Sequence, residues 1–202
     1  MEETGLNISI SMLLIGGSAG SLDVLLEILP QLHHDLPFPV VIILHRKSDA
    51  ESVLTDLLAL KTVLPVKEVD DKERIIPGTI FLAPADYHLL IEKDGIFSLD
   101  ASEKINFSRP SIDVSFESAA EIYGSLTAGL LLSGANADGT MGLKKIKDAG
   151  GIAMVQQPSV AEVSFMPQQA VNEINIDAIL KNEEIAGVIN GLGEGHFIHR
   201  AR

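Results

Sequence analysis

The chain alternates short, wholly apolar runs with segments in which apolar residues recur every three or four positions, nearly from end to end. Side chains on a strand point alternately to its two faces, so a run that is apolar at every position has to be covered on both. Helices supply that cover. The pattern restricts the chain to an α/β fold of three layers, a mostly parallel sheet with helices on both faces. Residues 12–16 read as the first strand, and Leu22, Leu25, Leu26 and Leu29 then mark a helix that stops at Pro30. Residues 39–44 read as the second strand, followed by a helix over 52–60. Later, a helix over 112–123, a strand over 126–132, a helix over 140–148, a strand over 152–156 and a closing helix over 178–189 are expected. Between the halves, 79–83, 87–92 and 96–99 are short β-type runs separated by Pro84, Asp86 and Asp94-Gly95, which predicts a small antiparallel insertion. No repeat, low-complexity stretch or linker interrupts the pattern, so one domain over 1–202 with its core over 10–192 is expected.

Composition narrows the function. With 46% hydrophobic residues, 4% aromatic and no Trp, the core is to be built from Leu, Ile, Val and Ala. Fifteen basic against 28 acidic residues give a net charge of -13, which repels nucleic acid and anionic lipid surfaces. Neither is expected as a partner. The absence of cysteine excludes disulfides, thiol catalysis and thiolate metal sites. Glu2 and Glu3 stand where a signal peptide carries positive charge, and the apolar runs are too short to span a bilayer. A cytoplasmic protein without direct membrane insertion is expected.

Gly16-Gly17-Ser18-Ala19-Gly20 follows the first strand and opens the first helix. In this GxSxG arrangement glycines permit the sharp turn that exposes a serine hydroxyl, and the backbone N–H groups beyond it, Ala19 first, can stabilise an oxyanion. A plain glycine-rich turn or a phosphate-cradling loop fits the same residues, although GxGxxG is lacking. A serine nucleophile needs a base. His45 ends the second strand, whereas His33 and His34 near a helix end, His196 and His199 in the tail and His88 in the insertion fit solvent exposure better. Asp138, in the loop after the strand over 126–132, fits either the acid that orients such a base or a helix N-cap. Three strand ends meeting one mechanistic need favour a Ser18, His45, Asp138 triad. It requires no metal or organic cofactor. The chain order Ser, His, Asp differs from the Ser, Asp, His order usual in α/β hydrolases. Arg109-Pro110-Ser111 with Asp113 opens the helix over 112–123, with Ser111 as N-cap and Arg109 a cleft-lining residue. Phe165-Met166-Pro167 reads as packing before a helix.

These residues resemble the catalytic domain of the bacterial chemotaxis protein-glutamate methylesterases, the CheB family. The resemblance rests on LLIGGSAGSLDVL, VVIILH, PGTIFLAPADYHLLI, SRPSIDVSFESAA, LLLSGANADGTMGLKKIKDAGG and VQQPSVAEVSFMPQQAV, in that order along most of the chain. It implies hydrolysis of γ-glutamyl methyl esters on the cytoplasmic part of chemoreceptors, with deamidation of receptor glutamines in many members. It also implies Ser18 as nucleophile, His45 as base and Asp138 as the orienting acid. The family loop TGMGxDGA reads SGANADGT here, with Ala135 and Asn136 replacing Met and Gly, so Asn136 enters as a cleft candidate. HMP after the base strand is His45-Arg46-Lys47, and the Thr often following the nucleophile is Ala19. Family members usually carry an N-terminal receiver domain. None is expected here, where a separate response-regulator or signalling protein would take its role. A serine esterase or amidase with another acyl substrate, and a non-catalytic regulatory binding module of the same fold, remain open readings.

Overall fold

Nearly every residue of the central strands is buried, which follows from their unbroken apolar sequences. The computed structural model describes residues 6–7, 9–46 and 51–197. In chain order the strands are β1 (Leu6–Asn7), β2 (Met12–Gly17), β3 (Val40–Leu44), β4 (Val66–Glu68), β5 (Ile80–Leu82), β6 (His88–Glu92), β7 (Ile96–Asp100), β8 (Thr127–Leu131), β9 (Ile152–Gln156), β10 (Ala178–Leu180) and β11 (His196–Phe197). The helices are α1 (Ser21–Ile28), α2 (Glu51–Ala59), α3 (Ile112–Tyr123), α4 (Thr140–Asp148), α5 (Phe165–Glu173) and α6 (Asn182–Gly193). A seven-stranded sheet runs β10-β9-β8-β2-β3-β5-β4 with every pair parallel. Two short antiparallel pairs, β6 with β7 and β1 with β11, stand apart from it.

Strand parity divides the core. Leu13, Ile15, Ile42 and Leu130 face Leu25 and Ile28 of α1, Leu58 of α2 and Ile185 and Ile189 of α6. Met12, Leu14, Ile43 and Leu131 face Phe116 of α3, Leu143 and Ile146 of α4 and Met166 of α5, with Leu89 and Phe97 of the β6–β7 hairpin closing that side. This is the three-layer α/β fold with an antiparallel addition. The chain leaves β2 towards β3 on one side and later returns to β8 on the other. Such a reversal opens a crevice at the carboxyl ends of the strands, where ligands of open α/β sheets bind.

Two boundaries correct the expectation. The turn residues place 79–83 in the antiparallel insertion, but β5 pairs parallel with both β3 and β4, and only the β6–β7 hairpin is inserted. Turn residues on one side of a short run do not reveal which sheet it joins. The expected closing helix over 178–189 is instead β10 followed by α6. Lys181 is extended, and its N–H donates to the Glu184 carboxylate at 2.9 Å, which starts the helix afterwards. Three apolar residues in a row carry no period, so they read equally well as helix or strand. The edge strand β4, with one apolar residue and none of its three residues fully buried, left no such run to find.

Candidate active site

β2 ends at Gly17, and Ser18 turns the chain into α1. The Ser18 N–H donates to the Ser133 carbonyl at 2.9 Å and to Ser21 Oγ at 3.0 Å. Ser21 Oγ in turn donates to the Ser133 carbonyl at 2.7 Å, and Ser133 Oγ donates to the Ala19 carbonyl at 2.6 Å. Two buried serines thus fasten the turn to the end of β8. Glycine is required here for space as well as for backbone freedom. A Cβ on Gly16 would lie 2.4 Å from Ile112 Cγ2, one on Gly17 would lie 2.2 Å from Ser21 Oγ, and Gly20 has a φ of 79°. Ser18 is half-buried and its Oγ bonds to no described residue, while the N–H groups of Ala19 and Gly20 likewise have no described acceptor. They are free donors at the N-terminus of α1, where partial positive charge favours an oxyanion.

His45 reaches this turn through sheet register. Gly17 pairs with Leu44, so Ser18 and His45 are the next residues on neighbouring strands, and the His45 N–H donates to the Gly17 carbonyl at 3.2 Å. No hydrogen bond joins the two side chains, a separation common in unliganded sites. On its other side, His45 Nε2 lies 2.7 Å from Asp138 Oδ2. Asp138 is fully buried and receives three further bonds: Ile112 N–H to Oδ2 at 2.8 Å, Ser111 Oγ to Oδ1 at 2.8 Å and Asp113 N–H to Oδ1 at 3.1 Å. Burial pushes its carboxyl upward, but the bond to His45 and the amides of Ile112 and Asp113 outweigh that and hold it below the ordinary carboxylate value. An ionised Asp138 accepts only, so Nε2 carries the proton and Nδ1 is left as the basic nitrogen. The ring is used in the opposite sense to the usual serine-protease triad, whose acid holds Nδ1.

Of the remaining expected site residues, Ala19 lies exposed at the turn. Asn136 is half-buried, and its Oδ1 accepts the Asp138 N–H at 3.2 Å. Arg109 Nη1 donates to the carbonyls of Ala101 and Ser102 at 2.7 and 2.6 Å, bracing the loop ahead of α3. Ser111 stands at the N-cap of α3 without capping it, its hydroxyl being given to Asp138. Phe165 and Met166 lie inside α5, and Met166 packs so closely on Gly134 that a Cβ there would meet its Sδ at 2.7 Å.

His33, His34 and His196 are exposed, while His88 is not. It is buried in the hairpin, its Nδ1 accepting the Ser111 N–H at 3.2 Å and its Nε2 lying 3.0 Å from the Glu103 carbonyl. The insertion packs on α3, and burial of that face takes His88 with it. His199 and Lys47 lie outside the described residues. Ser108, whose Oγ lies 3.4 Å from His45 Nδ1, and the fastening residue Ser133 were not singled out from the sequence. Their adjacency to the Arg109 motif and to the Asp138 loop was the only signal. Among the described residues, no group of three His, Asp or Glu side chains is placed to hold a metal ion.

A parallel sheet whose adjacent strands β3, β2 and β8 lead into His45, Ser18 and the loop of Asp138 has the layout of an α/β serine hydrolase. The chain belongs to the CheB methylesterase family, whose model matches residues 13–189. A Leptospira interrogans protein is 43% identical over 192 residues, 93% of this chain and 97% of that relative. The protein-glutamate methylesterase/protein-glutamine glutaminase 1 of Carboxydothermus hydrogenoformans is 38% identical over 87% of this chain, but only 53% of that relative is covered. The crystal structure of the Thermotoga maritima CheB methylesterase catalytic domain superposes with a TM-score of 0.87 at 34% identity, covering 92% of this chain and all of the other.

Proposed function

We propose that this protein is a serine hydrolase that demethylates γ-glutamyl methyl esters, and deamidates glutamines, on the cytoplasmic part of chemoreceptors. The observation that carries the reading is the buried Asp138 carboxylate holding His45 by Nε2 beside Ser18, where the N–H groups of Ala19 and Gly20 have no described acceptor. Membership of the CheB family and the names of the relatives supply the substrate class. Ser18 Oγ gives its proton to His45 Nδ1 and attacks the ester carbonyl, and the resulting oxyanion faces the N–H groups of Ala19 and Gly20. The tetrahedral adduct collapses, methanol takes the proton from Nδ1, and an acyl-Ser18 remains. Water, deprotonated by the same nitrogen, then releases the glutamate and restores Ser18. With a glutamine substrate, ammonia takes the place of methanol. Asp138 stays ionised throughout and stabilises the imidazolium.

A cytoplasmic location accords with this substrate, and no described helix is long and apolar enough to cross a membrane. A separate response-regulator or signalling protein is the proposed regulatory partner. Ser18→Ala should lower turnover of methylated receptor by roughly 10⁴ or more with an unchanged circular-dichroism spectrum. Turnover retained in that variant, or no fluorophosphonate adduct on Ser18 of the unaltered protein, would remove the proposal.

A further inference from the structure

Asp138 serves α3 as an N-terminal acceptor, although it precedes α4. Ser111, at the N-cap of α3, makes no side-chain cap, and Asp138 instead takes the N–H groups of Ile112 and Asp113. The arrangement is mirrored on the other helix. Gly139, at the N-cap of α4, has no side chain to cap with, and Oδ1 of Asp113 in the first turn of α3 takes the N–H groups of Gly139 at 2.9 Å and Gly142 at 2.7 Å. Each helix is capped by the acid that opens the other. The two helices touch closely: a Cβ on Gly142 would lie 2.5 Å from Phe116 Cβ and 2.9 Å from the Asp113 carbonyl.

Asp113 is buried, and its remaining oxygen, Oδ2, accepts only the Asn106 amide at 3.2 Å. It touches neither His45 nor Ser18 through any described hydrogen bond. What it grips is Gly139, the residue bonded to Asp138. We propose that Asp113 is a positioning residue for the triad: by holding the first turn of α4 it fixes the loop over 134–139 so that Asp138 stays within hydrogen-bond reach of His45 Nε2. Burial raises its carboxyl to about 6, with the Gly142 amide opposing and the charge of Asp138 adding to the rise. The bonds that matter run to one oxygen, so an amide at this position can accept both. Asp113→Asn is therefore the conservative variant, and Asp113→Ala removes the grip.

The inference rests on the reading of Ser18, His45 and Asp138 as the catalytic machinery. It is tested with p-nitrophenyl acetate as a small ester, which tests chemistry without receptor docking, and by proton NMR of the His45 ring N–H in the His45–Asp138 bond. Asp113→Ala is expected to lower kcat by about 10- to 100-fold with KM within about twofold, and to lose the downfield ring-proton resonance. Asp113→Asn is expected to keep the resonance and to restore kcat to within about threefold of the unaltered protein, a rescue that follows if both amides keep their acceptor. A folded Asp113→Ala that keeps both kcat and the resonance overturns the proposal. So does a folded Asp113→Asn that loses the resonance, which decides the matter even if the alanine variant does not fold. The resonance requires no turnover, so its behaviour separates a failure of positioning from a failure of the Ser18 assignment.

Discussion

At the scale of single residues, the site depends on how many donors one carboxylate can hold. Asp138 gives its two oxygens to a histidine, a serine and two backbone amides, a set that an amide side chain cannot reproduce. In Asp138→Asn, either the Nδ2 group meets the His45 ring and forces the wrong tautomer, or the oxygen keeps His45 and the NH2 faces donors. Under the proposed function, in which Asp138 orients His45, turnover of p-nitrophenyl acetate is expected to fall by about 10⁴, as when an orienting acid loses its charge. A stopped-rate assay on the folded variant checks this. The GxSxG turn was legible because all of it lies in five consecutive residues. The residues that fasten it were not, since Ser21 Oγ reaches a carbonyl 112 positions away in sequence. The same holds for His88, whose burial is decided by α3 and the Glu103 carbonyl rather than by its neighbours in the chain.

At the scale of elements, the exchange of caps between α3 and α4 sets two opposing pH dependences. Asp138 has a lowered pKa, so the stability it contributes is present above the ordinary carboxylate range and is lost as pH falls through its folded value. Asp113 is raised to about 6, so the folded protein holds its proton where the unfolded chain has released it, and stability declines as pH rises from the ordinary carboxylate value towards 6. Asp113→Asn should remove that decline. Tm measured between pH 4 and 7 is expected to fall less steeply in the variant, and an equal slope in the two proteins would contradict the assignment. Helix boundaries at α3 and α4 were fully legible, because each carries an amphipathic period bounded by turn residues. The reciprocal use of Asp113 and Asp138 was not, because Asp in a first turn caps its own helix just as readily on paper.

At the scale of the whole molecule, a net charge of -13 acts on any acidic partner. A receptor segment carrying several glutamates is repelled at low ionic strength, and each methyl ester removes one of those charges. Under the proposed function, kcat/KM for methylated receptor should rise as salt is raised towards about 0.15 M, where the screening length is about 8 Å, while p-nitrophenyl acetate turnover stays flat. A falling receptor rate would count against charge repulsion as the governing term. The apolar runs of the sequence by themselves determined the layered α/β class and the two-faced burial of the central strands, since backbone pairing leaves no other cover for such runs. The sequence also determined the sharp turn at Ser18, which needs only local sterics. Only the tertiary structure decided that β5 joins the parallel sheet, that β10 precedes α6, and that Asp113 and Asp138 cap each other's helices. Each of those depends on which distant segment supplies the hydrogen-bond partner, and local periodicity carries no record of a partner brought near by packing.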